Sequence, residues 1–530
     1  MSTRSFVLFL SPFCWAFGAA FGPRAAAAGE PGYSETFDSE PSRARVQLNA
    51  HARWVEAEGR GFVLEVESPA PAPGKKAGSV SVYAPFDLRP FAGKRILWQA
   101  DIRQENVTVP PDLWNGVKCM LCFTTPMSGQ HWCNVGCPTG TRGWTTRSTM
   151  IDVPADIGEA KLNIGLQDSA GRIWVDNLRI ALDPRQRVKH PPPPPNPPRV
   201  SAGHDRVDRL RGAMIRQEYN PEALKTLSEW GANLVRYQMT RNWDQVGDVN
   251  RDKEEFMRWI DKSLDTLDKI LADCEKLGLL VCVDLHTPPG GRFEDKSMRM
   301  FYEPEYADFF VEVWRRIAAR SKGRPAIWGY DLINEPCQNK PSPAGCDNYW
   351  ALQERAARAV RALDPETAII VEVDQWDDPD GFSFVKPMAV PGIVYQAHMY
   401  RPHAFTHQGV HGAKERWAYP GDIKGVAYDK DALRRMLQPV REFQLAYNVP
   451  IYIGEFSAIR WAKGADRYLE DVTDIFEEYG WDWSYHAFRE WSGWSLEHSD
   501  TEADQKPAQE PPSRQKTIRK WFTKNSKAFQ

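Results

Sequence analysis

The C-terminal part of the chain alternates short apolar runs with amphipathic stretches, and this alternation leaves few folds open. Eight of the runs are apolar on both faces, which is typical of buried parallel strands. Most are followed by a helical pattern, although the fifth connection, residues 375–391, contains little helix. Parallel strands that are each followed by a helix close into a (β/α)8 TIM barrel. We predict this barrel for residues 203–526, with strands at 210–213, 233–237, 279–285, 327–333, 368–373, 393–397, 451–454 and 482–487.

Residues 33–182 have short alternating stretches, frequent turn residues and no helical period. This pattern predicts an all-β sandwich of the jelly-roll type. The closing stretch, residues 171–180, resembles the last strand of a jelly-roll carbohydrate-binding module. That resemblance implies that Trp114, Trp132 or Trp144 stacks on a glycan; the alternative is a structural sandwich whose tryptophans pack inward. Trp174, which lies inside an alternating strand, is expected in the core.

A proline run separates the two parts, because seven of the residues 191–198 are proline. Such a run excludes helix and sheet and favours a stiff polyproline II spacer. We therefore assign residues 183–202 to a linker between two folded parts.

The N-terminus has the order of a secretory signal peptide, with Arg4, an apolar stretch at residues 6–21 and four alanines at 25–28. We predict that residues 1–28 are removed and that the mature protein is secreted or periplasmic. A membrane anchor is the competing interpretation, but the stretch is short for a span and is interrupted by Pro12. After cleavage we expect no membrane contact.

The formal net charge is −3, which argues against a nucleic-acid partner or an anionic lipid surface. The 21 tryptophans suit stacking on sugar rings as well as core packing. We expect a monomer that acts on a polysaccharide or oligosaccharide and needs no cofactor.

Export permits disulfides, and eight cysteines remain once Cys14 leaves with the signal. Four of them form a cluster for which we favour two cross-strand disulfides in a hairpin over a zinc site that would use His131. Two more would close a loop directly after Glu335, and the last two are expected to be buried thiols. The cluster of four is Cys119, Cys122, Cys133 and Cys137. The pair after Glu335 is Cys337 and Cys346, and the expected buried thiols are Cys274 and Cys282.

Two acidic residues end apolar runs of the predicted barrel: Glu335 in Trp-Gly-Tyr-Asp-Leu-Ile-Asn-Glu-Pro and Glu455 in Ile-Tyr-Ile-Gly-Glu-Phe. Barrel enzymes carry their chemistry at the C-terminal strand ends, and two carboxylates there are what glycosidic-bond hydrolysis needs. Other polar residues at these strand ends are Arg236, His286, Asn334, His398 and Tyr400. In this order the set resembles glycoside hydrolase family 5, the cellulase-like family, over roughly residues 211–521.

The resemblance implies a role for each carboxylate. Glu335 would be the general acid/base and Glu455 the nucleophile, with the carboxyl groups about 5–5.5 Å apart as in retaining enzymes. Arg236 and Tyr400 would keep Glu455 ionised. Taken alone, Glu455 has a structural alternative as an ion-pair partner of Arg236.

The resemblance also implies substrate contacts. Asn334 would bind the sugar 2-hydroxyl, and His286 and His398 would orient hydroxyls or the acid/base. A lone histidine such as His286 can instead be a structural residue with satisfied hydrogen bonds. Three further acidic residues near the strand ends are interpreted as structural: Asp284, Asp331 and Glu372.

The eighth strand departs from the family pattern, in which a tryptophan at the strand end lies below the sugar. The register that follows Trp483 puts His486 at this position, so we assign the platform to Trp491 in the following loop. Trp376 is a candidate for sugar stacking or for core packing.

Two long loops, at residues 286–292 and 401–428, edge the predicted barrel mouth. The second loop could close one end of the cleft. We expect no metal there, because its histidines lack a carboxylate set at ligand spacing; they are His403, His407 and His411.

We therefore predict a retaining glycoside hydrolase that cleaves β-linked glucan, as a cellulase or endoglucanase does, through double displacement by two glutamates. The alternatives are a β-mannanase, a β-1,3-glucanase or another exo-acting β-glycosidase, because specificity resides in loops. The alternatives from other classes are a non-catalytic glycan-binding protein and a metal-dependent hydrolase. The latter needs histidine pairs at strand ends, where the chain has only His286 and His398 singly.

Overall fold

The structure, a computed structural model, describes residues 32–112, 114–125, 129–195, 203–410 and 415–529. The predicted signal peptide, Cys14, the end of the proline linker and His411 lie outside these residues. Within them, the chain forms an antiparallel sandwich followed by a closed parallel barrel. No helix in the described ranges is long and apolar enough to cross a membrane.

The sandwich consists of two antiparallel sheets that enclose one apolar core, as predicted. The six-stranded sheet contains Tyr33–Glu35, Ala52–Ala57, Gly61–Ser68, Arg95–Val107, Gly140–Asp152 and Gly171–Leu182. The four-stranded sheet contains, in spatial order, Val80–Phe86, Ala160–Gln167, Gly116–Thr125 and Gly129–Asn134. The sandwich also includes the helix Glu40–Ala44 and the 3-10 helix Arg89–Phe91.

Buried tryptophans in the sandwich have partners for their indole N–H groups. Trp98 is fully buried, and its Nε1 donates to the carbonyl of Cys119 at 3.2 Å. Trp174 is buried as predicted, and its Nε1 donates to Oε2 of Glu65 at 2.9 Å. The polar end of each ring is therefore satisfied inside the protein.

The predicted hairpin is present, but all eight described cysteines are free thiols, so the structure does not contain the predicted disulfides. The strand register explains this in part. Cys133 pairs with Leu121, whereas Cys122 pairs with Trp132. Directly paired residues share a face and neighbours along a strand do not, so Cys122 and Cys133 point to opposite faces of the sheet.

The other cysteines are also reduced. The Sγ of Cys337 faces the Asn339 side chain, and the Sγ of Cys346 faces the carbonyl of Tyr302 at 3.3 Å. Each thiol after Glu335 thus has its own partner instead of the other thiol. The two cysteines predicted to be buried thiols, Cys274 and Cys282, are fully buried.

Eight parallel strands close into the predicted TIM barrel. All eight overlap the predicted strands: Arg211–Ile215, Leu234–Gln238, Leu280–Asp284, Ile327–Asp331, Ala368–Glu372, Ile393–Met399, Ile451–Phe456 and Asp482–Phe488. A small hairpin, Gly421–Ile423 with Val426–Tyr428, is inserted between the sixth and seventh strands. The helices around the barrel are Pro221–Glu229, Lys253–Leu277, Pro304–Ser321, Tyr349–Arg361, Lys430–Tyr447, Ala465–Tyr479 and Ser513–Phe522, with the short helix His403–Thr406 at the mouth.

The fifth strand is followed by a turn, Asp374–Asp377, and a 3-10 helix, Pro379–Phe384, in place of a long helix. This agrees with the weak helical pattern of the fifth connection. The turn contains Gln375 and Trp376 with positive φ angles, so it is not a right-handed helical turn. Its backbone path brings Trp376 to the barrel mouth.

The helix Lys253–Leu277 shows how the sequence defines these elements. Its first turn is capped by Asp252, whose side chain accepts from the backbone N–H of Glu255, and it ends at Gly278 in the left-handed conformation. Its apolar side chains recur every three or four residues and pack on the barrel: Phe256, Ile260, Leu264, Leu267, Ile270 and Leu271.

The segment after the sandwich contacts the barrel before the proline run begins. The guanidinium of Arg185 bonds to Asp374 at 2.8 Å and to the carbonyl of Gln338 at 2.9 Å, and it also pairs with Asp183. The N–H of Val188 donates to the carbonyl of Ser383 at 2.8 Å. The first part of the predicted linker is therefore packed against the side of the barrel at which the fourth and fifth strands end.

Candidate active site

Glu335 and Glu455 meet at the C-terminal mouth of the barrel. Glu455 lies in the seventh strand, and Glu335 follows the end of the fourth. One carboxylate oxygen of each residue and a ring nitrogen of His398 all lie within 4.8 Å of one another. Inverting glycosidases hold their carboxyl groups about 6.5–9.5 Å apart and retaining ones about 5–5.5 Å. The observed separation fits the retaining arrangement.

Glu455 is surrounded by hydrogen-bond donors and positive charge. Its Oε1 accepts from Nη1 of Arg236 at 2.6 Å, and its Oε2 accepts from the hydroxyl of Tyr400 at 2.8 Å. Burial alone would raise the pKa of Glu455, but the positive charges of His486 and Arg236 hold this pKa well below its ordinary value. The side chain is therefore ionised at neutral pH.

Arg236 is fully buried and serves several carboxylates at once. Besides Glu455, it bonds to Asp331 at 2.9 Å and to Glu372 at 3.1 Å, and Asp284 lies 3.3 Å away. Burial raises the pKa of Asp331 to about 6 and raises that of Glu372 well above its ordinary value. A single guanidinium cannot balance four buried negative charges, so the cluster retains protons near neutral pH.

The loop that carries Glu335 is held from below by Glu372. The backbone N–H of Glu335 donates to Oε2 of Glu372 at 2.6 Å, and its carbonyl accepts from Arg292 at 3.3 Å. Glu335 has a φ of +49°, in the left-handed region that non-glycine residues seldom occupy. Both backbone hydrogen bonds support this conformation and fix where the side chain enters the cleft.

The carboxyl group of Glu335 is oriented by His398. Oε1 of Glu335 lies 3.1 Å from Nδ1 of His398, and Nε2 of the same ring lies 3.3 Å from the amide nitrogen of Gln396. Because an amide nitrogen only donates, Nε2 accepts and the proton of a neutral ring sits on Nδ1. His398 therefore donates to Glu335.

Asn334 is fixed by a chain of hydrogen bonds that begins at Asp284. Nδ1 of His286 lies 2.7 Å from Asp284, and Nε2 of His286 lies 3.2 Å from the amide nitrogen of Asn334. The amide oxygen of Asn334 accepts from Arg236 at 2.9 Å. Because a guanidinium only donates, the amide has one orientation, with its nitrogen toward His286.

The cleft above these groups has a volume of about 740 Å³ and is lined by aromatic rings. Trp243 and Trp376 contact each other with ring centroids 6.2 Å apart, and the buried guanidinium of Arg292 lies 4.8 Å from the Trp376 ring. Trp491 and Trp494 form a second pair at 5.6 Å. Flat aromatic faces beside carboxylates and amides suit a sugar, whose rings stack and whose hydroxyls hydrogen-bond.

Residues 205–497 match the family described as cellulase (glycosyl hydrolase family 5). The chain belongs to this family. It is therefore a glycosidase, and the family resemblance seen in the sequence is confirmed.

Among the relatives of this family 5 chain is endoglucanase C of Acetivibrio thermocellus, with 27% identity over 297 residues, which cover 49% of this chain and 82% of that protein. Another is cellodextrinase A of Ruminococcus flavefaciens, with 23% identity over 301 residues, covering 53% of this chain and 85% of that protein. A solved endoglucanase of Thermotoga maritima aligns with a TM-score of 0.42 and 23% identity, over 55% of this chain and 92% of that one.

Seven of the residues predicted for the family 5 site come together in one hydrogen-bonded network, in which Glu372 links Glu335 to Arg236. The seven are Arg236, His286, Asn334, Glu335, His398, Tyr400 and Glu455. Trp491 lines the same cleft and is 42% exposed. At the end of the eighth strand, next to Tyr400 and Glu455, the structure has His486, as the predicted register implied. The platform role of Trp491 and the catalytic roles of the network remain predictions.

Among the cleft residues that were not identified from the sequence are Gln238, Trp243, Glu490 and Trp494. Gln238 could have been found, because it lies two residues after Arg236 and so shares its face of the strand. Trp243, Glu490 and Trp494 lie in loops, where no periodicity shows which side chains turn inward. Of the acidic residues interpreted as structural, Glu372 also positions Glu335.

Two groups of side chains at the mouth have the atom types and spacing of metal ligands. They are Glu335, His398 and Glu455, and Glu372, Asp377 and His398. Their members already bond within the protein: Glu455 and Glu372 to Arg236, His398 to Glu335, and Asp377 to the N–H of Val373. We assign both groups to the charge network around Arg236.

Replacing Arg236 by Met should destabilise the protein in a pH-dependent way. Removing one partner of a buried ion pair costs about 3–5 kcal/mol of unfolding free energy. The carboxylates left behind would have folded pKa values above their unfolded values, so stability is retained below the unfolded pKa and is lost as pH rises. We expect a larger deficit at pH 8 than at pH 5, measured by urea unfolding.

The matched control is Arg292→Met. Arg292 is equally buried but bonds to the carbonyls of Trp243, Lys296 and Glu335 and not to carboxylates. The loss of unfolding free energy in Arg292→Met should not grow with pH. Equal pH dependence in the two variants would contradict the account of the Arg236 cluster.

Proposed function

We propose that this family 5 glycosidase is a retaining hydrolase of β-linked glucan that uses Glu455 as nucleophile and Glu335 as acid/base. The main support is the close approach of these two carboxylates in unlike surroundings. Glu455 is bonded to a guanidinium and a phenol, whereas Glu335 faces His398 at the edge of the open cleft. The names of the relatives, endoglucanase and cellodextrinase, favour glucan as the substrate.

In the first step, a carboxylate oxygen of Glu455 attacks the anomeric carbon of the sugar. The bond between this carbon and the glycosidic oxygen breaks, and Glu335 gives its proton to the departing oxygen. Arg236 and Tyr400 donate hydrogen bonds to Glu455, so the nucleophile stays charged and its orientation is fixed. A glycosyl ester on Glu455 and an ionised Glu335 result.

In the second step, Glu335 takes a proton from water, whose oxygen attacks the same anomeric carbon. The ester bond breaks, and Glu455 recovers its charge while Glu335 is again protonated. Two displacements on one carbon return the original anomeric configuration. Asn334 can contact the hydroxyl beside the reacting carbon because Arg236 and His286 fix its amide.

The sugar, the linkage and the position of cleavage distinguish this proposal from its alternatives, which are a β-mannanase, a β-1,3-glucanase and another exo-acting β-glycosidase. Residues of the loop 401–428, His403 and His407, line the cleft with the tryptophans, so loop residues define part of its shape. Product profiling on soluble β-1,4-glucan, β-1,3-glucan and mannan tests the choice. Release of oligosaccharides from β-1,4-glucan alone supports it, and mannan cleavage alone would contradict it.

The two glutamates should respond differently to the leaving group. Glu335→Gln should lower kcat/KM by about 10²–10⁴-fold for glycosides whose leaving group must be protonated. The same substitution should have little effect on kcat/KM for aryl glycosides whose leaving group departs as a stable anion. Glu455→Gln should lower turnover of both by on the order of 10³-fold or more.

The measurement is steady-state kinetics on a series of aryl β-glycosides of graded leaving-group acidity. The exposed helix residue Glu254 provides the control, as Glu254→Gln removes a solvent-exposed carboxylate that does not line the cleft and should change kcat/KM for neither kind of glycoside. A Glu455→Gln enzyme that keeps its turnover would exclude Glu455 as nucleophile.

We also propose that the outer face of the four-stranded sheet of the sandwich binds glycan. Trp132 and Trp114 are each 61% exposed. The strand register pairs Tyr83 with Asn163 across the sheet. Trp132 lies in the next row of side chains on the same face. Exposed rings on one face of a sheet suit a sugar chain, whose apolar ring faces stack on aromatic side chains.

Replacing Trp132 by Ala should weaken binding to insoluble β-glucan by about 3- to 10-fold, as loss of one stacking contact predicts. The comparison uses the Glu455→Gln background so that the glucan is not digested. Trp144→Ala is the control, because the guanidinium of Arg60 covers the Trp144 ring at 4.2 Å. Equal losses in both variants, or none, would contradict the assignment of this face.

Export of the protein is a further part of the proposed function, because glucan chains lie outside the cytoplasm. It is supported by the order of Arg4, the apolar residues 6–21 and the alanines 25–28. N-terminal sequencing of protein recovered from the medium or periplasm should begin near residue 29. Recovery of the intact N-terminus in the cytoplasm alone would contradict export.

A further inference from the structure

The floor of the cleft at the end of the eighth strand is polar. His486 occupies this position, where the family resemblance implies a tryptophan. Its Nδ1 lies 2.6 Å from the hydroxyl oxygen of Tyr400, and its Nε2 lies 3.6 Å from Oε2 of Glu490. A ring that can carry a positive charge thus replaces a neutral aromatic ring, and a third glutamate lies beside it.

The positions of the protons on this floor follow from its hydrogen bonds. The Tyr400 hydroxyl has one hydrogen and donates it to Glu455, so its oxygen accepts from Nδ1–H of His486. Burial alone would lower the pKa of His486, but Glu455 and Glu490 raise it to about 9. The imidazole is therefore doubly protonated at neutral pH, with Nε2–H directed at Glu490.

Glu490 is ionised and held from two sides. Its Oε2 accepts from the amide nitrogen of Gln238 at 2.6 Å. Burial would raise the pKa of Glu490, but His486, His286 and Gln238 together lower it. The side chain is still 29% exposed and lines the cleft. A fixed, charged carboxylate that opens onto a sugar cleft is a preorganised acceptor for hydroxyl groups.

We propose that Glu490 is a specificity-determining residue that accepts hydrogen bonds from hydroxyls of the sugar bound at Glu455, and that His486 and Gln238 hold it in place. This inference rests on the proposed function. Recognition at this subsite then depends on hydroxyl groups and less on ring stacking. It also disfavours acidic sugars, since a carboxylate on the substrate would face the charge of Glu490.

The hydroxyl in question differs from the one assigned to Asn334. The family resemblance assigns Asn334 to the hydroxyl on the carbon next to the reacting one, whereas Glu490 lies on the opposite side of the His486 ring from Glu455. The contact of Glu490 is therefore with a hydroxyl at carbon 3, 4 or 6. A polar site built around a hydroxyl discriminates strongly against an analogue that lacks it, because the acceptor is then left unpaired.

The test combines Glu490→Gln with deoxygenated substrates. The same aryl β-glycoside is prepared in parent, 2-deoxy, 3-deoxy, 4-deoxy and 6-deoxy forms, and kcat/KM is measured for wild type and variant. On the parent, Glu490→Gln should lower kcat/KM by about 10- to 100-fold, the range of a hydrogen bond to a charged group. On at least one of the 3-, 4- and 6-deoxy forms the two enzymes should differ by less than about threefold.

The 2-deoxy form is the internal control, because its missing hydroxyl belongs to Asn334, and the full Glu490→Gln loss should persist there. A loss of equal size on all five substrates would overturn the proposal, since Glu490 would then act without touching the sugar. No loss on the parent would overturn it as well. Glu254→Gln, carried through the same panel, should match wild type throughout.

Failure of the proposed function gives a different result. If wild type cleaves the parent glycoside and Glu455→Gln does not, the proposed function stands whatever Glu490→Gln shows. If Glu455→Gln cleaves it as fast as wild type, the proposed function is wrong and the assignment of Glu490 is wrong with it.

Discussion

The buried guanidinium of Arg236 is the interaction on which the active site depends. It contacts Asp284, Asp331, Glu372 and Glu455 from the centre of the barrel mouth. Burying such charges is costly unless each finds a partner, and one cation cannot satisfy four anions fully. The cluster therefore shares its protons, and the ionised state concentrates on Glu455, where Tyr400 and the nearby imidazoles add further donors and charge.

The same network gives the two glutamates different surroundings. Glu455 is part of a strand and is bonded on both oxygens, so it is rigid and charged. Glu335 belongs to a loop, and its side chain contacts His398 while its backbone rests on Glu372. Two carboxyl groups of the same type thus receive unlike environments, on which the proposed roles of Glu455 as nucleophile and Glu335 as proton donor rest. Glu372 links these environments, because it contacts both Arg236 and the N–H of Glu335.

The barrel and its catalytic network could be predicted from sequence because buried parallel strands are apolar on both faces. A polar residue at the end of such a strand is conspicuous, and the ends of all strands meet at one rim. Arg236, Asn334 and Glu455 were found in this way. Register along a strand is also readable, which is how His486 could be located at the end of the eighth strand.

Other features depend on the path of the backbone, which sequence spacing does not reveal. Glu490 and Trp494 lie in a loop, and the path of that loop brings them to the cleft. The cysteine spacing suggested cross-strand disulfides, but the register places Cys122 and Cys133 on opposite faces. The measurement that most directly tests the account is the anomeric configuration of the first product, observed by NMR before mutarotation. Attack by Glu455 followed by water predicts retention of the β configuration, and an α-configured first product would contradict it.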